Sequence, residues 1–348
     1  MAGAPLLDVD DLHVSFRTEE GVVRAVDGVA FHVDAGEVVA LVGESGSGKS
    51  ATALTLMGLT RGPHAAISGR ATFAGVELVG AAEAQLRRLR GRDLAIVLQD
   101  PMTALNPVLR IGDQIVEQIR AHERCSTAAA RDRAAALLER VGIARARERL
   151  RAYPHECSGG MRQRVAIAMA LACGPRLLIA DEPTTALDVT TQAQILAQLD
   201  ALRRETGAGV LLVTHDLGVV AQLADRVAVM YAGRIVEHGT VADVFADPQH
   251  PYTWGLLGSL PRVDRPRPAR LPAIPGQPPS PLAAPTGCRF RERCPHAHDR
   301  CRQPPDLRER AGAPGHADRC VLDPAAKRRL RVVDGRIGLD PTAGAVAP

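Results

Sequence analysis

Short apolar runs punctuate the first two thirds of the chain, at residues 38–42, 95–98, 177–180, 210–214 and 227–231. Each is four or five residues long and almost continuously apolar, which predicts strands buried on both faces of a mainly parallel sheet. Residues 51–59 carry helical spacing directly after a glycine-rich turn, so the first run begins a strand–loop–helix unit. Helical patterning also fills 111–119, 128–141 and 160–172, all between the second and third runs. The pattern predicts an α/β fold with a parallel-sheet core and an all-helical insertion at about 104–175.

The pattern breaks near Leu260. Pro261, Pro266, Pro268, Pro272, Pro275, Pro278, Pro279, Pro281 and Pro285 predict a stiff, extended linker. Four cysteines and many arginines follow with little apolar periodicity, which predicts a small irregular unit, and residues 335–348 read as a disordered tail. The expected divisions are 1–255 for the α/β core, 256–334 for the linker and cysteine-rich unit, and 335–348 for the tail.

Composition narrows the partners. Hydrophobic residues make up 46% of the 348, enough for a sizeable core, but aromatics only 3%, so Val, Leu, Ile and Ala must fill it. The net charge of +4 gives no strong pull toward nucleic acid. No apolar run approaches the roughly 18 residues that cross a bilayer, and the first sixteen residues lack a basic segment followed by an apolar one. A cytosolic chain is expected, its seven cysteines thiols or metal ligands rather than disulfides.

Gly43-Glu44-Ser45-Gly46-Ser47-Gly48-Lys49-Ser50 matches a phosphate-binding loop. Its glycines let backbone N–H groups curl around phosphate oxygens, and the helix entered at Ala51 adds its positive end. Lys49 is expected to reach the β- and γ-phosphates and Ser50 to ligate Mg²⁺. Leu177-Leu178-Ile179-Ala180-Asp181-Glu182 is an apolar strand ending in two acids, Asp181 suited to Mg²⁺ and Glu182 to orienting the attacking water. Ser158, Gly159 and Gly160 open a helix whose N-terminus can present donors to a γ-phosphate. Taken alone, that segment reads first as an ordinary serine-capped helix.

The order of phosphate loop, Ser-Gly-Gly helix, acidic strand and later histidine resembles the ABC transporter ATPases, over roughly residues 6–247. The resemblance implies an ABC-type P-loop ATPase with ATP held between two nucleotide-binding domains, facing one domain's phosphate loop and the other's signature helix. Gln99 then resembles the glutamine that touches Mg²⁺ and reports to the membrane subunit. Ala186-Leu187-Asp188 resembles the loop across the dimer seam, His215 the switch histidine at the γ-phosphate, and Phe16 the aromatic stacked on adenine. The signature departs from Leu-Ser-Gly-Gly-Gln: Cys157 keeps a small apolar contact, while Met161 loses an amide hydrogen bond.

Gln249-His250-Pro251-Tyr252-Thr253, Tyr153-Pro154-His155-Glu156 and Met161-Arg162-Gln163-Arg164 resemble the ATPases of dipeptide, oligopeptide and nickel importers. Cys288, Cys294, Cys301 and Cys320 are spaced C-x5-C-x6-C-x18-C, and four thiolates can hold a [4Fe–4S] cluster or zinc. The wide first gaps count against zinc, and His296, His298 and His316 lie near enough in sequence to stand in as ligands. Within this family the cysteine set implies the iron–sulfur cluster. The resemblance further implies a peripheral subunit on the cytoplasmic face of the membrane. Its partners would be a second ATPase, identical or related, two integral membrane permease subunits and, indirectly, an extracytoplasmic solute-binding protein. A soluble ABC ATPase acting on nucleic acid or ribosomes is the rival, disfavoured by the single phosphate loop and the modest charge.

Overall fold

The computed structural model describes residues 4–184, 188–260, 273–333 and 336–339. Two long antiparallel strands, β1 (Leu7–Thr18) and β2 (Gly21–Val33), come first. β3 (Val38–Val42), buried at every position, leads through the glycine-rich loop into α1 (Lys49–Leu56). β4 (Ala65–Phe73) returns to β1, and β5 (Val76–Glu77) completes an antiparallel sheet ordered β2-β1-β4-β5. After α2 (Glu83–Leu89) comes β6 (Leu94–Val97).

The helical insertion follows, with α3 (Pro101–Ala104), α4 (Ile111–His122), α5 (Thr127–Arg140), α6 (Ala146–Arg149) and α7 (Gly159–Ala170). Ile111, Ile115 and Ile119 recur every fourth residue, so one face of α4 is apolar, and it closes a core with Leu138 of α5 and Ile167 of α7. Ser126 and Ser158 cap α5 and α7 by accepting from the N–H groups of Ala129 and Met161.

β7 (Leu177–Asp181) re-enters the sheet, followed by α8 (Val189–Thr206), β8 (Gly209–Thr214), α9 (Leu217–Leu223) and β9 (Arg226–Tyr231). β9, β3, β8, β7 and β6 run parallel. Alternation along β3 divides its faces: Val39 and Leu41 join the core beneath the antiparallel sheet, while Val38, Ala40 and Val42 join the core under α9.

The sheet as a whole is mixed rather than mainly parallel. Ala232 and Gly233, both at positive φ, form a two-residue turn that brings β10 (Arg234–Thr240) back antiparallel to β9. Helices α10 (Val241–Ala246) and α11 (Pro251–Gly258) follow. β11 (Arg308–Arg310) and β12 (Ala313–Asp318) then extend the same sheet beyond β10, giving the order β11-β12-β10-β9-β3-β8-β7-β6. α12 (Pro324–Leu330) and a small hairpin of β13 (Val332–Val333) and β14 (Arg336–Ile337) come last.

Through β12, the chain that follows the cysteine-rich segment is joined to the core sheet. Buried Glu237 on β10 explains the attachment: it accepts from the Gln249 and His250 N–H groups and from His316 Nε2 on β12, at 2.6–2.9 Å. The expected linker divides similarly. Residues 261–272 lie outside the described residues, while Pro281 accepts from the Arg24 N–H on β2 and Ile274 packs into the core under α9. Of the tail expected from residue 335, residues 336–339 are described: β14 pairs with β13 and Leu339 packs against that same core; residues 340–348 lie outside the described residues.

Candidate active site

The loop between β3 and α1 is shaped by steric necessity. A Cβ on Gly43 would stand 2.1 Å from the Met230 carbonyl oxygen, and one on Gly48 would stand 2.3 Å from that of Ala25. Gly48 also adopts φ 105°, which only glycine takes readily, to turn the chain into α1. Gly46 faces open space, and Ser45 is exposed beside it. Lys49 is buried, its ammonium donating to the carbonyls of Gly43 at 2.7 Å and Glu44 at 3.0 Å. Burial lowers its pKa, opposed by the charges of Glu182, Asp181 and Glu44. Ala51, half-buried in the first turn of α1, packs against the core.

At the end of β7, Asp181 accepts from Ser50 Oγ at 3.1 Å. Burial pushes the Asp181 carboxyl above the usual range, and the Ser50 hydroxyl pulls it back. These oxygens form the hard donor set that Mg²⁺ takes. Glu182 sits at φ 48°, a conformation costly for a side-chain-bearing residue, with its N–H held by the Val213 carbonyl of β8 at 2.8 Å. This turn delivers the carboxylate to two partners from other elements. Gln99 Nε2 donates to Oε2 at 2.9 Å, and His215 Nδ1 lies 3.0 Å from Oε1. Lys49, Ser50, Gln99, Asp181, Glu182 and His215 are thus brought together in one cluster.

The remaining expected residues lie elsewhere. Phe16 is half-buried on β1, opposite Val23 and Ala65, and packs partly on the core. Ser158 and Gly159 are exposed and Gly160 half-exposed at the start of α7, and a Cβ on Gly159 would meet nothing within 4 Å. Asp188 caps α8 by accepting from the Thr191 N–H at 2.9 Å, which lowers its pKa. Ala186 and Leu187 lie outside the described residues.

Cys288, Cys294, Cys301 and Cys320 line a single cavity together with His250, His296 and Phe290. All four are free thiols. Burial pushes the Cys288 thiol up to about 11 and Cys294 up to about 12, and raises Cys320 as well. Among the described residues, no three His, Cys, Asp or Glu side chains meet as the ligand set of one metal ion. His316, one of the alternative ligands, is instead bonded to Glu237.

Sequence reasoning missed Arg293 at the phosphate loop, and the contacts that Glu44 and Tyr252 make there. Glu44 donates its N–H to the Tyr252 hydroxyl at 2.8 Å, and its carboxylate is gripped by both terminal nitrogens of Arg293 at 2.6 and 3.0 Å. Tyr252 stood out in the sequence only as part of a family motif. Arg293 carries no local signal among so many arginines.

The fold and this cluster define an ATPase of the ABC type. Residues 26–185 match the family described as "ABC transporter", and residues 236–301 match "Oligopeptide/dipeptide transporter, C-terminal region". The chain is 50% identical to the oligopeptide transport ATP-binding protein OppD of Salmonella typhimurium, over 90% of this chain and 93% of that one. It is 53% identical to the dipeptide transport ATP-binding protein DppD of Bacillus subtilis, over 84% and 87% of the two chains. A solved dimeric structure, a post-hydrolysis state of the ATP-binding cassette MJ0796 bound to ADP and Pi, superposes with a TM-score of 0.62 at 27% identity, over 68% of this chain and 98% of that one. The chain belongs to the ATP-binding subunits of the oligopeptide/dipeptide ABC transporters. No helix among the described residues is long and apolar enough to cross a membrane.

Proposed function

We propose that this chain binds and hydrolyses ATP to power import of a dipeptide or oligopeptide through an ABC transporter. The convergence of Gln99 and His215 on the Glu182 carboxylate, beside Lys49 and the Ser50–Asp181 pair, carries the reading. In it, Lys49 and the backbone of Gly43, Ser45, Gly46 and Gly48 hold the phosphates, and Phe16 stacks on adenine. Ser50, Asp181 and Gln99 hold Mg²⁺, which neutralises charge on the transferred phosphoryl group. Glu182 orients the attacking water, its two oxygens fixed by Gln99 and His215 so that it is already aimed when ATP arrives.

Ser158, Gly159, Gly160 and Asp188 serve the ATP of a second ATPase subunit, which suits the exposure of Ser158 and Gly159. Two integral permease subunits and an extracytoplasmic solute-binding protein complete the machine, with this chain on the cytoplasmic face. Residues 1–255 act as the nucleotide-binding domain, and 256–334 as an extension that carries a [4Fe–4S] cluster on Cys288, Cys294, Cys301 and Cys320. Their shared cavity supports the cluster reading. In a cubane each iron takes one cysteine, so the cluster does not need the sulfurs to converge on a single point as zinc does. Affinity purification of the full chain from membranes tests the reading: integral membrane subunits should co-purify, and a chain recovered with nucleic acid or ribosomes instead would contradict it.

A further inference from the structure

Glu44 poses an electrostatic problem. It is the second residue of a loop built to receive phosphates, where an unpaired carboxylate would repel them. Three contacts constrain it. Its carbonyl accepts from Lys49 Nζ at 3.0 Å, its N–H donates to the Tyr252 hydroxyl at 2.8 Å, and its carboxylate receives a two-pronged grip from Arg293. The Glu44 side chain retains 29% of its exposure, while the Arg293 side chain retains 4%.

Arg293 comes from 249 residues further along the chain, in the turn between Cys288 and Cys294. It is over-determined. Its Nε donates to the Pro275 carbonyl at 2.8 Å, and its guanidinium lies over the rings of Tyr231 and Phe290 at 5.7 and 5.9 Å. The turn itself is fixed by backbone bonds from Arg291 to Cys288 and from Cys294 to Arg291. A buried guanidinium locked in this way is preorganised for bidentate recognition of a carboxylate.

We propose that Arg293 is a positioning residue of the ATP site: acting through Glu44, it neutralises the loop's own carboxylate so that the loop can receive phosphate. The C-terminal segment thereby completes the nucleotide site of its own chain. This rests on the ATP-site reading above.

The test measures Mg²⁺-dependent binding of a fluorescent ATP analogue to the full-length chain. Arg293→Ala frees the carboxylate and is expected to weaken binding on the order of tenfold. Adding Glu44→Gln to it removes the repelling charge and should restore affinity to within about twofold of the parent, as neighbouring substitutions with a shared cause do not add. Arg293→Lys, which keeps charge but loses the fork, should fall between the two. Glu44→Gln alone needs no change at Arg293, so it reports even if Arg293→Ala fails to fold, and it should bind at least as tightly as the parent. Parent-like binding by Arg293→Ala, a double variant as weak as Arg293→Ala, or Glu44→Gln weakened on the order of tenfold would each overturn the proposal. A parent chain that binds no analogue would instead overturn the ATP-site reading beneath it.

Discussion

Ser50 and Asp181, 131 positions apart, meet in a hydrogen bond of 3.1 Å that joins the phosphate loop to the acidic end of β7. The bond holds two magnesium-seeking oxygens together before any ion arrives. It also leaves a carboxylate buried beside Glu182, and burial raises its pKa from the usual 3.8.

Asp181→Asn should therefore raise the melting temperature of the nucleotide-free chain at neutral pH while abolishing its further stabilisation by Mg²⁺ and ATP. The sign follows from linkage: a carboxyl whose folded pKa is raised stabilises the fold most when protonated, and that contribution is lost as pH rises through the folded value. The advantage of asparagine should accordingly shrink on acidification and vanish below pH 3.8, the unfolded value, where aspartate is protonated in both states. Thermal melts with and without nucleotide, from neutral pH downward, check both parts.

Glu182→Gln keeps the shape of the side chain held by Gln99 and His215 but removes the charge that polarises water. ATP binding should persist, and turnover in the assembled complex should fall by orders of magnitude. Hydrolysis at the parent rate would remove Glu182 from its role.

Gly159→Asp should leave the isolated subunit folded and able to bind ATP, because a Cβ there meets nothing within 4 Å. Its carboxylate would face the γ-phosphate held by the partner domain, so ATP-driven closure of the pair should fail. Gly43→Ala offers the contrast: its Cβ would collide with the Met230 carbonyl, so this variant should lose nucleotide binding in the isolated chain. Normal closure and transport by Gly159→Asp would contradict the composite site.

Anaerobically purified protein should be brown and carry about four irons per chain. Serine at Cys288, Cys294, Cys301 or Cys320 should bleach it, whereas serine at Cys125 or Cys173, which pack in or near the helical insertion, should not. Metal analysis beside the visible spectrum decides: colourless protein with one zinc would contradict the cluster and leave the ATPase unaffected.

What the sequence made legible follows from how local the signal is. β3 is apolar at all five positions and could be read to the residue, whereas β9 begins at Arg226, one residue before its apolar run. The antiparallel sheet escaped notice because β1 carries register shifts between Val9 and Leu12, and these break the alternation that betrays a half-buried strand. β12 includes Pro314, Gly315 and Asp318, poor strand formers, and it pairs because buried Glu237 needs His316. The residues that cluster at the phosphate loop were legible because phosphate and Mg²⁺ dictate residue type at fixed spacing. Arg293 was not, since only the tertiary fold brings it to Glu44.

The most direct test reconstitutes the chain with its co-purified membrane subunits and solute-binding protein in sealed vesicles and follows labelled di- and oligopeptide uptake. Uptake should require ATP and disappear in Glu182→Gln, with hydrolysis and uptake falling together. Vesicles that hydrolyse ATP at the parent rate yet accumulate no peptide of either length would contradict the assignment as a peptide-import ATPase.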